Sequence, residues 1–141
     1  MPGRKVNGNG KGVFAPAART GNRKMNVKEF YAAVGGNYDE AMGRLLTEKR
    51  IVKYLRKLPE TGDVAAMNEA FAGGNWEEAF RFSHNVKGVS LNLSLTALGQ
   101  AASELCETVR GGAPQVDFSG LLADVNQKYE AITAAIAELK E

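Results

Sequence analysis

The chain holds one histidine, His84, and one cysteine, Cys106. One imidazole and one thiol are too few to build a zinc or haem site from the protein's own ligands, and Cys106 has no intramolecular disulfide partner. A hydrolytic triad is also out of reach. It needs a nucleophile, a base and an orienting group, and His84 has no serine, thiol or carboxylate partner close by on its own helix. An exposed imidazole can still act alone as a nucleophile, because its neutral form leaves a ring nitrogen free to attack phosphorus. Lys87 follows one helical turn later, roughly 4.5 Å along the axis, where an ammonium offsets charge on an incoming phosphoryl group. Gly88 comes next, in mid-helix, where glycine costs about 1 kcal/mol relative to alanine. It removes side-chain bulk where a donor must approach. Together His84, Lys87 and Gly88 point to phosphoryl acceptance on the imidazole.

The helix that must carry them runs over residues 76–93, with Asn75 as N-cap and Glu78 three residues later in a capping-box arrangement. At 100° per residue, Ala79, Phe82, Val86, Val89 and Leu93 share the side expected to face the interior, and His84 points the other way. With it go Lys87, Gly88, Glu77, Phe80, Arg81 and Leu91. Phe80 and Leu91 put apolar surface on either side of the imidazole, away from the core, which marks a docking face. Trp76 is expected as a partly buried anchor at the helix start, and Cys106 as a small apolar filler.

The remaining segments are cut to helical length by Gly35-Gly36-Asn37, Pro59-Glu60-Thr61-Gly62-Asp63, Gly73-Gly74-Asn75 and Gly111-Gly112-Ala113-Pro114. Phe118, Leu121, Leu122, Val125, Tyr129, Ile132, Ile136 and Leu139 form one stripe, as do Leu95, Leu98, Ala102, Leu105 and Val109, with Ser94 or Thr96 as cap. Tyr38, Met42 and Leu45, then Ile51, Val52, Leu55 and Leu58, predict a helix that pauses near Thr47, and 64–72 predicts a short one after Asp63. Glu48-Lys49-Arg50 and Lys53 to Lys57 read as solvated helix faces. No stretch alternates apolar and polar residues. The expectation is an all-α, up-and-down antiparallel four-helix bundle with one or two short N-terminal helices.

The 141 residues suit one compact domain, and their longest apolar runs are far short of the ~20 residues a membrane span needs. No apolar core of a signal peptide opens the chain, so a cytoplasmic protein is expected. The net charge of +2 conceals an asymmetry. Arg4, Lys5, Lys11, Arg19, Arg23 and Lys24 precede any acid, whereas the chain from Met25 onward has 12 basic and 16 acidic residues. The basic stretch also carries five glycines and two prolines without apolar periodicity. It is expected to be a disordered arm over 1–25, ahead of a helical domain over 26–141. It reads as a solvated leader before a start at Met25, with a nucleic-acid or acidic-partner tail as the functional alternative; the acidic bundle gives nucleic-acid binding little support.

The run Ser83-His84-Asn85-Val86-Lys87-Gly88-Val89-Ser90-Leu91-Asn92-Leu93 resembles the active-helix motif of histidine-containing phosphotransfer (HPt) domains, His-x-Leu-Lys-Gly, then a small residue and an Asn-Leu-Gly ending. Gly74-Asn75-Trp76 looks like the lead-in of that family, and Leu98 to Arg110, with Leu105-Cys106-Glu107 and Arg110-Gly111-Gly112, is similar to its following helix. The resemblance covers about residues 38–138. Val86 replaces the usual leucine, and Ser94 stands where the family often has glycine. The resemblance implies a phosphoryl carrier, not an enzyme, in a multistep relay. His84 would take phosphoryl from an aspartyl phosphate on a receiver domain and pass it to another receiver. Lys87 would steady the phosphoryl charge, while Phe80, Arg81, Gly88 and Leu91 would dock the receiver.

It further implies that response-regulator receivers and a hybrid sensor histidine kinase are the partners. The Mg²⁺ would come from the receiver and no cofactor from this chain, which has no Gly-rich phosphate loop. A face that must stay open favours a monomer. The competing reading is a non-phosphorylated helical adaptor that binds a signalling partner through the same face. His84→Gln separates the two, since a carrier loses all phosphoryl labelling and an adaptor keeps its partner.

Overall fold

The computed structural model describes residues 24–140, which form eight helices and, among the described residues, no strand beyond one isolated bridge. The turn chemistry sets each break. Gly35, at φ 72°, ends α1 (Val27–Val34), and the Asn37 side chain accepts the Glu40 N–H at 2.9 Å to open α2 (Tyr38–Leu45). Thr47 opens α3 (Glu48–Arg56) in the same way, accepting from the Arg50 N–H at 3.1 Å after Leu46 turns to φ 77°. The pause read near Thr47 is thus a complete break. The single turn α4 (Leu58–Thr61) forms around Pro59, and α5 (Val64–Gly73) ends on Gly74 at φ 71°. The helices α6 (Trp76–Asn92), α7 (Thr96–Glu107) and α8 (Ser119–Ile136) follow.

α5, α6, α7 and α8 make the up-and-down four-helix bundle. The short connections at Gly74-Asn75 and Leu93-Ser94-Leu95 leave α5, α6 and α7 as successive antiparallel neighbours. α8 packs on α7 and closes the ring on α5, where Asn68 and Asn126 exchange amide hydrogen bonds of 2.8 and 2.9 Å. Met67, Leu98, Leu105, Val125 and Ile132 fill the interior without exposure. α1 lies on α8, and α2 and α3 lie against α1, so that Phe30, Tyr31, Ile51 and Leu55 extend the same core.

Two boundaries differ from those read in the sequence. Met25, assigned to the arm, is buried: its N–H donates to the Glu138 carbonyl at 2.8 Å and its carbonyl accepts from Lys140 at 3.0 Å. Leu139 accordingly leaves the α8 stripe and pairs with Met25 beyond the helix end. A lone methionine without periodic neighbours gives no pattern, which is why this contact escaped the reading. The arm itself, residues 1–23, lies outside the described residues.

The turn after α6 also differs. Neither Ser94 nor Thr96 caps α7, whose N-cap is Leu95 with no side-chain bond. Ser94 instead takes the left-handed position after α6, at φ 56°, with Ser94 N–H donating to Leu91 O and Leu95 N–H to Ser90 O at 3.0 and 2.8 Å. This is the Schellman arrangement, in which glycine is the usual residue. Serine is held there by Arg44 of α2, whose Nη1 donates to Ser94 Oγ at 3.1 Å and to the Leu91 carbonyl at 2.6 Å. Tyr31 completes the clamp, its hydroxyl donating to the Leu93 carbonyl at 2.6 Å.

Ser94→Gly should change the unfolding free energy by less than about 1 kcal/mol, because relief of the left-handed backbone offsets the lost Oγ bond. Ser94→Val puts a β-branched side chain into that backbone region and should cost at least about 2 kcal/mol. Urea unfolding with an unchanged m-value reads both. Burial pushes the Tyr31 phenol above its ordinary pKa, with Arg44 opposing the shift. The folded state therefore favours the neutral phenol. This contribution is complete below the unfolded value of about 10 and is lost as pH rises from there towards the folded value. Stability should fall more steeply above pH ~10 in the parent chain than in Tyr31→Phe, as followed by urea midpoints against pH.

Candidate functional site

α6 starts as expected at its N-cap, where the Asn75 side chain accepts the Glu78 N–H at 3.3 Å. The reciprocal half of the capping box is absent because the Glu78 carboxylate is paired with Arg81. The buried positions within the helix are Ala79, Ser83, Val86 and Ser90, with Phe82 and Val89 only flanking the core. Relative to the expected stripe, the helix is turned by about half of one residue's 100° step. The serines pass into the interior because their hydroxyls bond backward along the helix, Ser83 Oγ to Ala79 O at 2.7 Å and Ser90 Oγ to Val86 O at 2.6 Å. Their small size lets α7 come close. A Cβ on Gly99 would lie 3.5 Å from Ser90 Cβ and 2.6 Å from Leu91 Cδ2.

The rotation leaves His84 exposed and moves its neighbours onto two flanks. Towards α7 lie half-buried Phe80 and Lys87, and Leu91, which is 42% exposed. The imidazole lies against the Phe80 ring at 5.6 Å between centroids, tilted by 38°. The Arg110 guanidinium also packs on that ring, 5.3 Å from its centroid, and grips the Glu107 carboxylate through Nε at 3.0 Å and Nη2 at 2.6 Å. Arg110 thereby holds the Glu107 carboxyl below the usual carboxylate range, and the charge of Lys87 adds to the effect. On the opposite flank the Asn85 amide donates to Asp63 Oδ2 at 2.9 Å and to the Thr61 carbonyl at 3.2 Å, pinning α6 to the α4–α5 turn.

His84, Phe80, Lys87 and Leu91 are thus gathered as read from the sequence, and Gly88 is exposed beside them. Among the described residues a Cβ on Gly88 would meet no atom within 4 Å, so their packing does not require a glycine there. Arg81 is not drawn against the imidazole. It is held by Glu78 and lies over the Phe82 ring at 4.4 Å. Glu107 and Arg110 are the members that residue chemistry alone missed. Their only signal is an acid and a base three apart at the end of α7, a common surface pattern. Trp76 packs edge-on to Phe71 and Phe118 as a helix-start anchor, and Cys106 is buried as a filler.

Among the described residues no group of three or more His, Cys, Asp or Glu side chains is placed to hold a metal ion, and no helix is long and apolar enough to cross a membrane.

The described residues thus form an all-helical bundle that presents one exposed histidine, His84, from the middle of a helix. The model of the Hpt domain family matches residues 53–141, more than half of the chain, and the chain belongs to that family. The family's members are phosphoryl carriers in histidine phosphotransfer, which interact with receiver domains. No curated protein and no solved structure matches the chain.

Because nothing surrounds the missing side chain, Gly88→Ala should raise the unfolding free energy by about 1 kcal/mol through helix propensity alone. Thermal or urea unfolding of the two proteins checks this.

Proposed function

We propose that this protein carries a phosphoryl group on His84 between aspartates of receiver domains in a two-component multistep phosphorelay. The observation that supports it most is an exposed imidazole beside a glycine whose bare Cα serves no contact among the described residues. A ring nitrogen attacks the phosphorus of a receiver's aspartyl phosphate. The N–P bond forms as the P–O bond breaks, and the aspartate leaves as a carboxylate. A second receiver's aspartate reverses the step and takes the phosphoryl group. Such transfer depends on in-line placement and charge neutralisation, not on elaborate covalent machinery.

Lys87 sets an ammonium beside the acceptor nitrogen's approach path. Phe80 limits the imidazole from one side, and Leu91 with Gly88 offers the receiver an apolar and sterically open surface. The receiver supplies Mg²⁺ and the remaining catalytic groups, and its own phosphate comes from a hybrid sensor histidine kinase. This assignment makes the protein a cytoplasmic, monomeric carrier without a catalytic cycle of its own.

The test is incubation with a phosphorylated receiver domain and Mg²⁺, reading acid-labile, base-stable phosphate. The parent chain should be labelled and His84→Gln should not. Lys87→Ala should slow labelling by roughly 10²-fold, the loss of one charge-stabilising group. Folded protein that no receiver labels would favour a helical adaptor using the same face.

A further inference from the structure

We propose that Glu107 limits how firmly His84 holds its phosphoryl group and so favours release to a receiver. This role rests on the carrier reading above. Lys87 and Arg110 bring positive charge to the α7 flank of the imidazole. Lys87 follows His84 by one turn of α6, and Arg110 lies 5.3 Å from the centroid of the Phe80 ring, which the imidazole meets at 5.6 Å. Arg81, by contrast, is turned to Glu78 and the Phe82 ring. Phosphorylation adds negative charge at His84, so cations left unopposed beside it favour the phosphorylated carrier.

Glu107 opposes both cations. Its carboxylate accepts from Arg110 Nε at 3.0 and 3.1 Å and from Nη2 at 2.6 Å, which takes up the forked edge that would otherwise suit a phosphoryl group. The charge of Lys87 acts on the same carboxylate. The pair does little for the fold, since the Arg110 and Glu107 side chains are 56% and 54% exposed. Its position is what sets it apart: a negative charge is held on the flank from which Lys87 and Arg110 address the imidazole. On release the N–P bond breaks as a receiver's aspartate carboxylate forms a P–O bond. The imidazole leaves neutral, with its proton on the other ring nitrogen. That step carries negative charge away from Glu107 and acceptance carries it back, so like-charge repulsion shifts the exchange towards the receiver.

The test uses the full chain, Mg²⁺ and a receiver domain that labels it, and reads the equilibrium ratio of phosphorylated carrier to phosphorylated receiver, approached from both sides. At about 50 mM salt Glu107→Gln should shift this ratio about threefold towards the carrier, the worth of an exposed charge pair, and about 500 mM salt should remove most of the shift. Glu107→Asp keeps the charge and should stay near the parent. Glu107→Gln/Arg110→Gln removes one charge of each sign and should also lie close to it. All three should keep the far-UV circular dichroism spectrum of the parent. An unchanged ratio in Glu107→Gln overturns the proposal; transfer slowed equally in both directions would then mean that the pair serves only to hold the Phe80 ring. A shift that high salt leaves intact, or that Glu107→Asp reproduces in full, also overturns it. A parent chain that no receiver labels overturns the carrier reading itself, and this role with it.

Discussion

The angular setting of α6 about its own axis is the constraint on which the rest of the molecule depends. A helix facing its neighbours through Phe82 and Val89 would turn His84 directly outward, with Phe80 and Lys87 beside it on the open face. The helix faces inward through Ser83 and Ser90 instead, because side chains of that size let α7 approach at Gly99 and their hydroxyls are satisfied by carbonyls one turn earlier. Buried hydroxyls that bond backward bring no unpaired donor into the core, so the close approach carries little polar penalty. The consequence is a site shared between two helices. Phe80 and Lys87 lean towards α7, where Arg110 and Glu107 meet them.

The N-terminal helices hold that setting from the end of α6. Arg44 gathers the carbonyls of Leu91 and Asn92, Tyr31 takes that of Leu93, and the Asn37 N–H donates to the Ser94 carbonyl at 2.9 Å. The carbonyls of Leu91, Asn92 and Leu93 belong to the last turn and cap of α6, where the ordinary N–H four residues on is missing. Asn85 fixes the middle of the same helix to Asp63 and the Thr61 carbonyl. α6 is thus anchored at its middle and its end, while no element among the described residues covers His84.

Most helix boundaries were legible in the sequence because Gly-Asn and Thr signals coincide with shifts in apolar phase, as at Gly35, Thr47 and Gly74, but the number of helices was not, since the segment read as one helix pausing near Thr47 is two and Leu58–Thr61 forms a turn of its own. His84, Lys87 and Gly88 were legible as a group because a lone imidazole and a mid-helix glycine one turn apart break ordinary helix rules. The contribution of α7 was not legible. Residues on different helices carry no common period, and Glu107 with Arg110 looks like any surface pair until Phe80 is seen beneath the guanidinium. The serine stripe was missed for a different reason. Polarity assigns serine outward, and only the backward hydroxyl bond reverses that assignment. Ser94 shows the same limit: its left-handed backbone is tolerable because Arg44, fifty residues away, holds its hydroxyl.

The pairing of Met25 with Glu138 and Lys140 has a mechanical meaning. Two backbone hydrogen bonds tie the first described segment to the last. A load drawn between the two ends of the domain would fall first on those bonds and on the burial of Met25 and Leu139. The bundle would bear it only after they part. Tension from flanking chain would therefore be taken up at one pole of the molecule, while α6 keeps its orientation and the imidazole its presentation.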